Sequence, residues 1–400
     1  MIDVPDLSDP SAFDAGFPHA VFARLRRESP VHWHEGDAFG GPGYWIVSKY
    51  EDIKTISRKP LLFSSAHGTN VEDRAEEEVG INSMITMDPP AHQRYRKLVS
   101  GGFTPRAIAS QEPHHREIVG QILDTALARG QCDFVVGVAA ELPLRVIAEL
   151  LGVPQESCHD IYDWSNRMIG ADDAEFGGAG VDDARNAAIE MFAFANRMAA
   201  DRLEAPRADL MSRILHGEID GERIDVADFD SFFLLLAIAG NETTRNLISH
   251  GLLLLLEHPD ALARLRREPR LLKSAIEEML RYRPPVMYFR RTAQQDTLLR
   301  GQKIRKGDKV LMYYPSANRD EDVFDDPDTF DVARRDNHHL AFGVGEHFCL
   351  GTHLARLETR VMFEEVLRRM HDIELAGPVE FLRSNFIDGV KHIPVKFAAA

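Results

Sequence analysis

Cysteine is scarce in this chain: only Cys132, Cys158 and Cys349 occur among 400 residues. They are far apart, odd in number and never arranged as CxxC. That pattern excludes a disulfide framework or a cysteine-rich zinc site, and it fits a reducing compartment. Long apolar runs are missing as well. The longest candidate, Ser231 to Leu256, is broken by Glu242 and Arg245. A membrane span needs ~20 predominantly apolar residues, so a buried helix is expected there instead. The opening stretch MIDVPDLSDPSAFDAGF is acidic and has no apolar signal core. Neither export nor anchoring is read from it, and a cytoplasmic protein is expected. Positive charge is in deficit. A net charge of −16 argues against general nucleic-acid binding, while leaving room for local basic patches. Repeats, low-complexity tracts and linkers are also lacking, so residues 1–400 are read as one large domain.

The chain is rich in helical pattern. HAVFARLRRESPVHWH reads as a short helix then a strand, and GYWIVSKYEDIKTI as a strand then a helix. Ser64 to Ile85 is polar and glycine-bearing, and a long loop is expected. PAHQRYRKLVSGGF reads as a helix with a glycine stop. From about Glu112 to His258 helical periodicity dominates, with breaks near Gly130 and around FGGAGVDD. After Arg283-Pro284-Pro285, TLLRGQKIRKGDKVLMYYPSAN reads as strands and turns. THLARLETRVMFEEVLRRM is a terminal helix, with Leu354, Leu357, Val361 and Leu367 near helical spacing. The tail returns to strand and turn. A mainly helical α+β fold follows.

The densest chemistry lies in AFGVGEHFCLG, residues 341–351. Gly343, Gly345 and Gly351 permit backbone paths barred to bulkier residues. Backbone N–H groups and the start of the next helix favour Cys349 as an anion with a lowered pKa. Phe342 is placed to cover one side of the sulfur. Such a site suits a soft metal held by a single thiolate, and the partner ligands of structural zinc are missing. For an isolated cysteine, a buried free thiol is the simpler reading. The ten-residue pattern Phe342-Gly343-x-Gly345-x-His347-x-Cys349-Leu350-Gly351, however, closely resembles the haem-binding signature of the cytochrome P-450 family. The resemblance implies haem b, with Cys349 as the axial thiolate and Phe342, Gly343, His347 and Gly351 around the cofactor. Thiolate donation favours O–O bond cleavage.

FFLLLAIAGNETTRN sits in a stretch that would run helically from about Val226 to His258, roughly 50 Å at 1.5 Å per residue. Gly240 costs such a helix roughly 1 kcal/mol relative to Ala. Thr243 is positioned to bond the Ala239 carbonyl, and together they would open a small groove. Glu242 and Arg245 also read as a simple ion pair. Ala239-Gly240-Asn241-Glu242-Thr243-Thr244 resembles the family's oxygen-binding motif. That implies haem contacts at Ala239 and Gly240, and an acid–alcohol pair, Glu242 and Thr243, that relays protons from bulk solvent.

Glu278 and Arg281 share a helix face. The same ExxR spacing recurs at Glu204/Arg207, Glu242/Arg245, Glu365/Arg368 and Glu380/Arg383, and most such pairs are solvated. Position before YRPP selects Glu278 and Arg281. By resemblance they belong to a structural triad whose third member is Arg334, with Arg335 competing. DPPAHQRYR places His92 and Arg96 on one helical face, which alone reads as a basic surface. The resemblance makes both haem-propionate contacts, joined by His347 and by Arg291, with Arg290 as competitor.

The resemblance runs from about residue 15 to the end. It implies a triangular, helix-rich domain with a minor β region. The implied activity is insertion of one oxygen atom of O2 into an unactivated bond, with two electrons reducing the other atom to water. No flavin or nicotinamide domain fits this length, so NAD(P)H-derived electrons are expected from a ferredoxin and its reductase. Arg94, Arg96 and Lys97 are candidates for a docking patch. Met84, Ile85, Met168, Ile169, Phe233, Leu236, Ala237, Val286, Met287, Phe289 and Phe386 are the expected substrate lining, and their apolar bias points to a lipophilic small molecule. AGNETTRN with SNFIDGVKHIPV looks like the actinobacterial branch acting on sterols and methyl-branched lipids, so a steroid, terpenoid or lipid is favoured. The alternatives are a peroxygenase using H2O2, which an intact Glu242-Thr243 pair disfavours, and a non-catalytic haem protein that binds ligands.

Overall fold

The computed structural model describes residues 2–73, 83–178, 180–219 and 221–399. Helices dominate. The expected early elements form as the helix His19–Glu28, the strands Val31–Glu35 and Gly43–Val47, and the helix Tyr50–Ser57. The loop expected over Ser64 to Ile85 falls partly outside the described residues. At its far end Met84–Thr86 makes a single 3₁₀ turn. Ala91–Ser100 is helical and stops at Gly101.

The long helix, Val226–Glu257, has the expected length. Its N-terminus is capped by Asp225, whose carboxylate accepts from the Asp228 N–H at 2.7 Å. It ends at His258, where Pro259 cannot continue the ladder. Apolar residues cover nearly its whole circumference, as a core helix requires. The helices Glu141–Leu151, Val181–Glu204 and Thr352–Arg369 pack against it. No helix among the described residues is long and apolar enough to cross a membrane.

The largest sheet has five strands, in the spatial order Val31–Glu35, Gly43–Val47, Lys309–Tyr313, Tyr288–Ala293 and Phe63–Ser64. Arg291 pairs with Val310 and Arg290 with Leu311. Side chains alternate between faces along a strand, so the two neighbouring arginines must point in opposite directions.

One buried carboxylate ties this scaffold to the cysteine loop. Glu278 accepts from Arg281 at 2.8 Å through both arms of the guanidinium, and from Arg334 Nε at 3.0 and 3.1 Å. Asn337 Nδ2 adds a bond of 3.0 Å. Arg281 also donates to the Asn318 carbonyl at 2.9 Å, and Asn318 Oδ1 accepts the Leu340 N–H at 2.7 Å, just before the loop. The third place in the cluster therefore belongs to Arg334. Arg335 is exposed. Of the other spacings, Glu242/Arg245 is buried and Glu365/Arg368 lies at the surface. Arg207 pairs with Asp201 instead of Glu204, and Arg383 lies nearest Asp14.

Candidate active site

The cysteine loop folds back on itself. Cys349 N–H donates to the Phe342 carbonyl at 2.9 Å, and Gly343 N–H to Leu340 at 2.8 Å. Gly343 and Gly345 both have positive φ, +67° and +82°. A Cβ on Gly345 would meet the Ser57 carbonyl at 2.5 Å, so close approach adds to the conformational demand. Gly351 has an ordinary φ of −82°, and its value lies in its N–H, which bonds the Cys349 sulfur.

Above the loop lies a cavity with about 1480 Å³ of empty space, part of it continuous with solvent. Cys349 opens into it from one side; Ala239, Gly240, Thr243 and Thr244 line it from the long helix. Phe342, Gly343, His347, Gly351, His92, Arg96 and Arg291 complete this part of the wall. The sulfur is open to the cavity yet backed closely by protein. Burial pushes its thiol pKa up, and the Gly351 N–H, Arg96 and Arg356 pull it back. The expectation of a net lowered thiol is corrected: desolvation outweighs the local donors.

Arg291 is 6% exposed. Its Nη1 donates to the Arg290 carbonyl at 2.8 Å, and no carboxylate pairs with it among the described residues. Burial lowers its pKa. A buried cation without an anion is costly, so the cavity beside it suits an anionic group. His92 Nδ1 is likewise buried and without a hydrogen bond. Its nearest carboxylate oxygen, on Glu346, is 3.5 Å away. His347 packs against His92 with ring centres 4.3 Å apart, and burial with Arg291 beside it pushes its pKa down to about 2. Its Nε2 lies 3.2 Å from Ser65 Oγ. A large flat apolar group carrying carboxylates, with a metal facing Cys349, fits this set of donors. Arg290 points the other way, its Nη1 donating to the carbonyls of Asn70, Val71 and Glu72 and pairing with Asp73.

Thr243 Oγ donates to the Ala239 carbonyl at 2.9 Å. A Cβ at Gly240 would meet Ile147 at 2.8 Å, so glycine there permits helix contact as well as cavity space. Glu242 departs from expectation. It is 1% exposed, outside the cavity wall, and ion-paired with Arg245. Arg245 donates to Asn166 Oδ1 at 2.8 Å and lies against the Tyr162 ring. Burial raises the Glu242 pKa and Arg245 opposes the rise. Its expected opening to bulk solvent is thus closed by Arg245 in this conformation.

The expected substrate lining divides. Met84, Ile85, Leu236, Val286 and Phe289 face the cavity. Phe233, Ala237, Met287, Phe386, Met168 and Ile169 do not. Phe233 lies a turn beyond the cavity and packs on Phe194 at 5.9 Å. Ala237 is rotated into the core. Met287 and Phe386 belong to a separate cluster with Tyr288, behind Phe289. Met168 packs on the main core, and Ile169 ends its helix without reaching the wall. Arg96 is corrected as a docking residue, because it lines the cavity and its Nη2 donates to the Phe348 carbonyl at 2.6 Å. Several wall residues carry no sequence signal: Ile147, Leu235, Leu247 and Tyr314 arrive by tertiary packing. Glu358 was missed too. Its carboxyl is buried beside Thr244; burial raises its pKa well above the ordinary carboxylate value, and Thr244 opposes the rise.

A helix-rich fold with a thiol and unpaired cations around one cavity defines a thiolate cofactor protein. The chain belongs to the cytochrome P450 family, and it is a monooxygenase of the oxidoreductase class. The cytochrome P450 family model matches residues 178–375. A steroid C26-monooxygenase of Rhodococcus jostii is 41% identical, over 99% of this chain and 85% of its own length. A methyl-branched lipid omega-hydroxylase of Mycobacterium tuberculosis is 40% identical, over 97% and 92%. A Mycobacterium marinum cytochrome P450 solved in complex with pseudoionone superposes with a TM-score of 0.94 at 36% identity, covering 99% of each chain. The resemblance read from the cysteine loop is confirmed, and so is the fold class.

Proposed function

We propose that residues 1–400 form one haem domain that inserts an oxygen atom of O2 into a steroid, terpenoid or other lipid. The observation that carries this reading is that Cys349 and the helix residues Ala239, Gly240 and Thr243 line one cavity. Haem b, when bound through Cys349, supplies the oxidant for an unactivated bond. His92, Arg96, Arg291 and His347 hold its carboxylates. Neutral His347 offers an N–H, and Arg291 offers charge in a site that excludes water.

Thr243 would hold water in the cavity, its own hydroxyl oriented by donation to the Ala239 carbonyl. Glu242 would relay protons once its ion pair with Arg245 opens; burial raises its pKa and Arg245 opposes the rise. Met84, Ile85, Leu236, Val286 and Phe289 press an apolar substrate toward the reacting centre and displace water. Each turnover places one oxygen atom in product and the other in water, using two electrons and two protons. A ferredoxin and its reductase bring the electrons from NAD(P)H, and Arg94 and Lys97, both exposed, suit an acidic partner.

A lipophilic library screened for displacement of iron-bound water tests the substrate class. The reading expects steroids or branched lipids to shift the haem spectrum and then to yield hydroxylated product with O2 and the redox chain. Product with H2O2 alone, and none with O2, would replace it by the peroxygenase reading.

A further inference from the structure

One charge cluster touches the cysteine loop and has no part in the chemistry above. Glu277, next to the buried Glu278, receives both arms of Arg356, Nε to Oε1 and Nη2 to Oε2, each at 2.7 Å. His339 Nε2 lies 3.1 Å from Oε2 of the same carboxylate. His339 Nδ1 accepts the Ala341 N–H at 3.2 Å, which leaves Nε2 to carry the proton toward Glu277. The guanidinium carbon of Arg356 sits 4.6 Å from the centre of the Phe342 ring. Phe342 forms part of the cavity wall, and its carbonyl holds the Cys349 N–H at 2.9 Å.

The result is a stack running from a carboxylate through a guanidinium to an aromatic ring beside the thiol. The two-armed pair fixes the guanidinium plane. A cation within about 6 Å of a ring centre draws on the ring's electron density. Arg356 is also one of two arginines whose charge acts on the Cys349 sulfur, the other being Arg96. Arg96 is committed to the cavity. Arg356 is held outside it, 35% exposed on a groove shared with Lys273, His353 and Arg360.

We propose that Arg356 and Glu277 are positioning residues that set how electron-rich the Cys349 sulfur is when it ligates iron. Arg356 draws charge from the sulfur past Phe342, and Glu277 cancels part of that pull. The proposal rests on the reading of Cys349 as the axial ligand. Haem potentials respond to nearby net charge and to contacts around the ligand sulfur. One-electron reduction adds a negative charge to the centre. An uncovered cation favours that change and an uncovered anion opposes it.

The two deletions must therefore act in opposite directions. Glu277→Gln keeps the shape and uncovers Arg356, so the ferric/ferrous midpoint rises and the iron–sulfur stretch falls. Arg356→Gln uncovers Glu277, so the midpoint falls and the stretch rises. The double variant returns toward wild type. Dithionite titration with mediator dyes and resonance Raman spectroscopy of the full-length haem-loaded proteins measure both. A merely structural role would shift both single variants the same way, with loss of haem. Should Arg356→Gln fail to load, Arg356→Lys keeps the charge, loses the stack and shifts the midpoint down by less. Shifts of equal sign, or none beside an intact thiolate spectrum, overturn the proposal. Failure of the axial-ligand reading looks different, because wild type itself would then lack the iron–sulfur stretch.

Discussion

At the scale of single residues, the long helix makes the sharpest demands. Thr243 lines the cavity with its hydroxyl fixed at 2.9 Å from the Ala239 carbonyl. On the proposed relay, Thr243→Ala removes a water anchor without altering the residues expected to contact haem. Product formed per NAD(P)H is expected to fall by about tenfold or more, with peroxide released; a positioned proton donor contributes roughly 10²–10⁴-fold. Stoichiometry of NAD(P)H, peroxide and product checks this, and unchanged coupling would place the relay elsewhere. A second residue carries a pH signature. His392 bonds Asp133, and its Nε2 meets Glu175 at 2.7 Å, beside Lys391 and Asp173. Burial lowers its pKa, but the two carboxylates outweigh that and raise it above the ordinary value. A folded pKa above the unfolded one means stability present in full below the unfolded value near 6.5 and lost as pH rises through the folded value. Urea midpoints measured from pH 5 to 9 are expected to lose this component in His392→Gln. An identical pH profile in the two proteins would remove the pair from the stability account.

At the scale of elements, the Leu272–Tyr282 helix and the meander after Asn318 are locked by Glu278. Its bond to Arg281 is buried and those to Arg334 and Asn337 are half-buried, so removing the charge leaves two guanidiniums without their carboxylate. Glu278→Gln is expected to cost about 3–5 kcal/mol, as breaking a buried pair does. Chemical denaturation reads the loss directly, and a change below about 1 kcal/mol would show the cluster to be replaceable. Element boundaries were largely legible in the chain itself. The 32 helical residues from Val226, the glycine stop at Gly101 and the terminal helix before Met370 all follow from periodicity and caps. The cavity residues around Cys349 were legible because their motifs are nearly contiguous, so a local pattern carries them. Arg291 over Arg290 and Arg334 over Arg335 needed the register of a strand and the path of a meander to settle. The substrate wall was only half legible. Leu236, Ala239, Gly240 and Thr243 share one helical face, whereas Ala237 is turned away and Phe233 lies past the cavity's end. Val286 lines the cavity, whereas its neighbour Met287 belongs to the separate cluster with Tyr288. Ile147 and Tyr314 belong to elements whose approach only the folded chain reveals.

At the scale of the whole molecule, the proposed electron supply asks for a docking site near the Cys349 face of an acidic protein. Arg94 and Lys97 are exposed beside Arg96, whose guanidinium reaches the Phe348 carbonyl. Arg94→Glu is expected to slow electron transfer from the native ferredoxin at low salt, with haem content unchanged. The gap between wild type and variant should close as ionic strength rises and the Debye length shrinks below about 10 Å. Stopped-flow reduction across a salt series measures it, and equal rates at low salt would move the docking face elsewhere.

The expectations that concern haem converge on one sulfur. X-ray absorption at the iron edge of haem-loaded wild type and Cys349→Ala measures its ligation directly. The account predicts one sulfur scatterer bonded to iron in wild type and none in the variant, with the thiolate-type reduced carbon-monoxide band lost alongside it. Iron without a sulfur neighbour in wild type, or with one that survives Cys349→Ala, would contradict it.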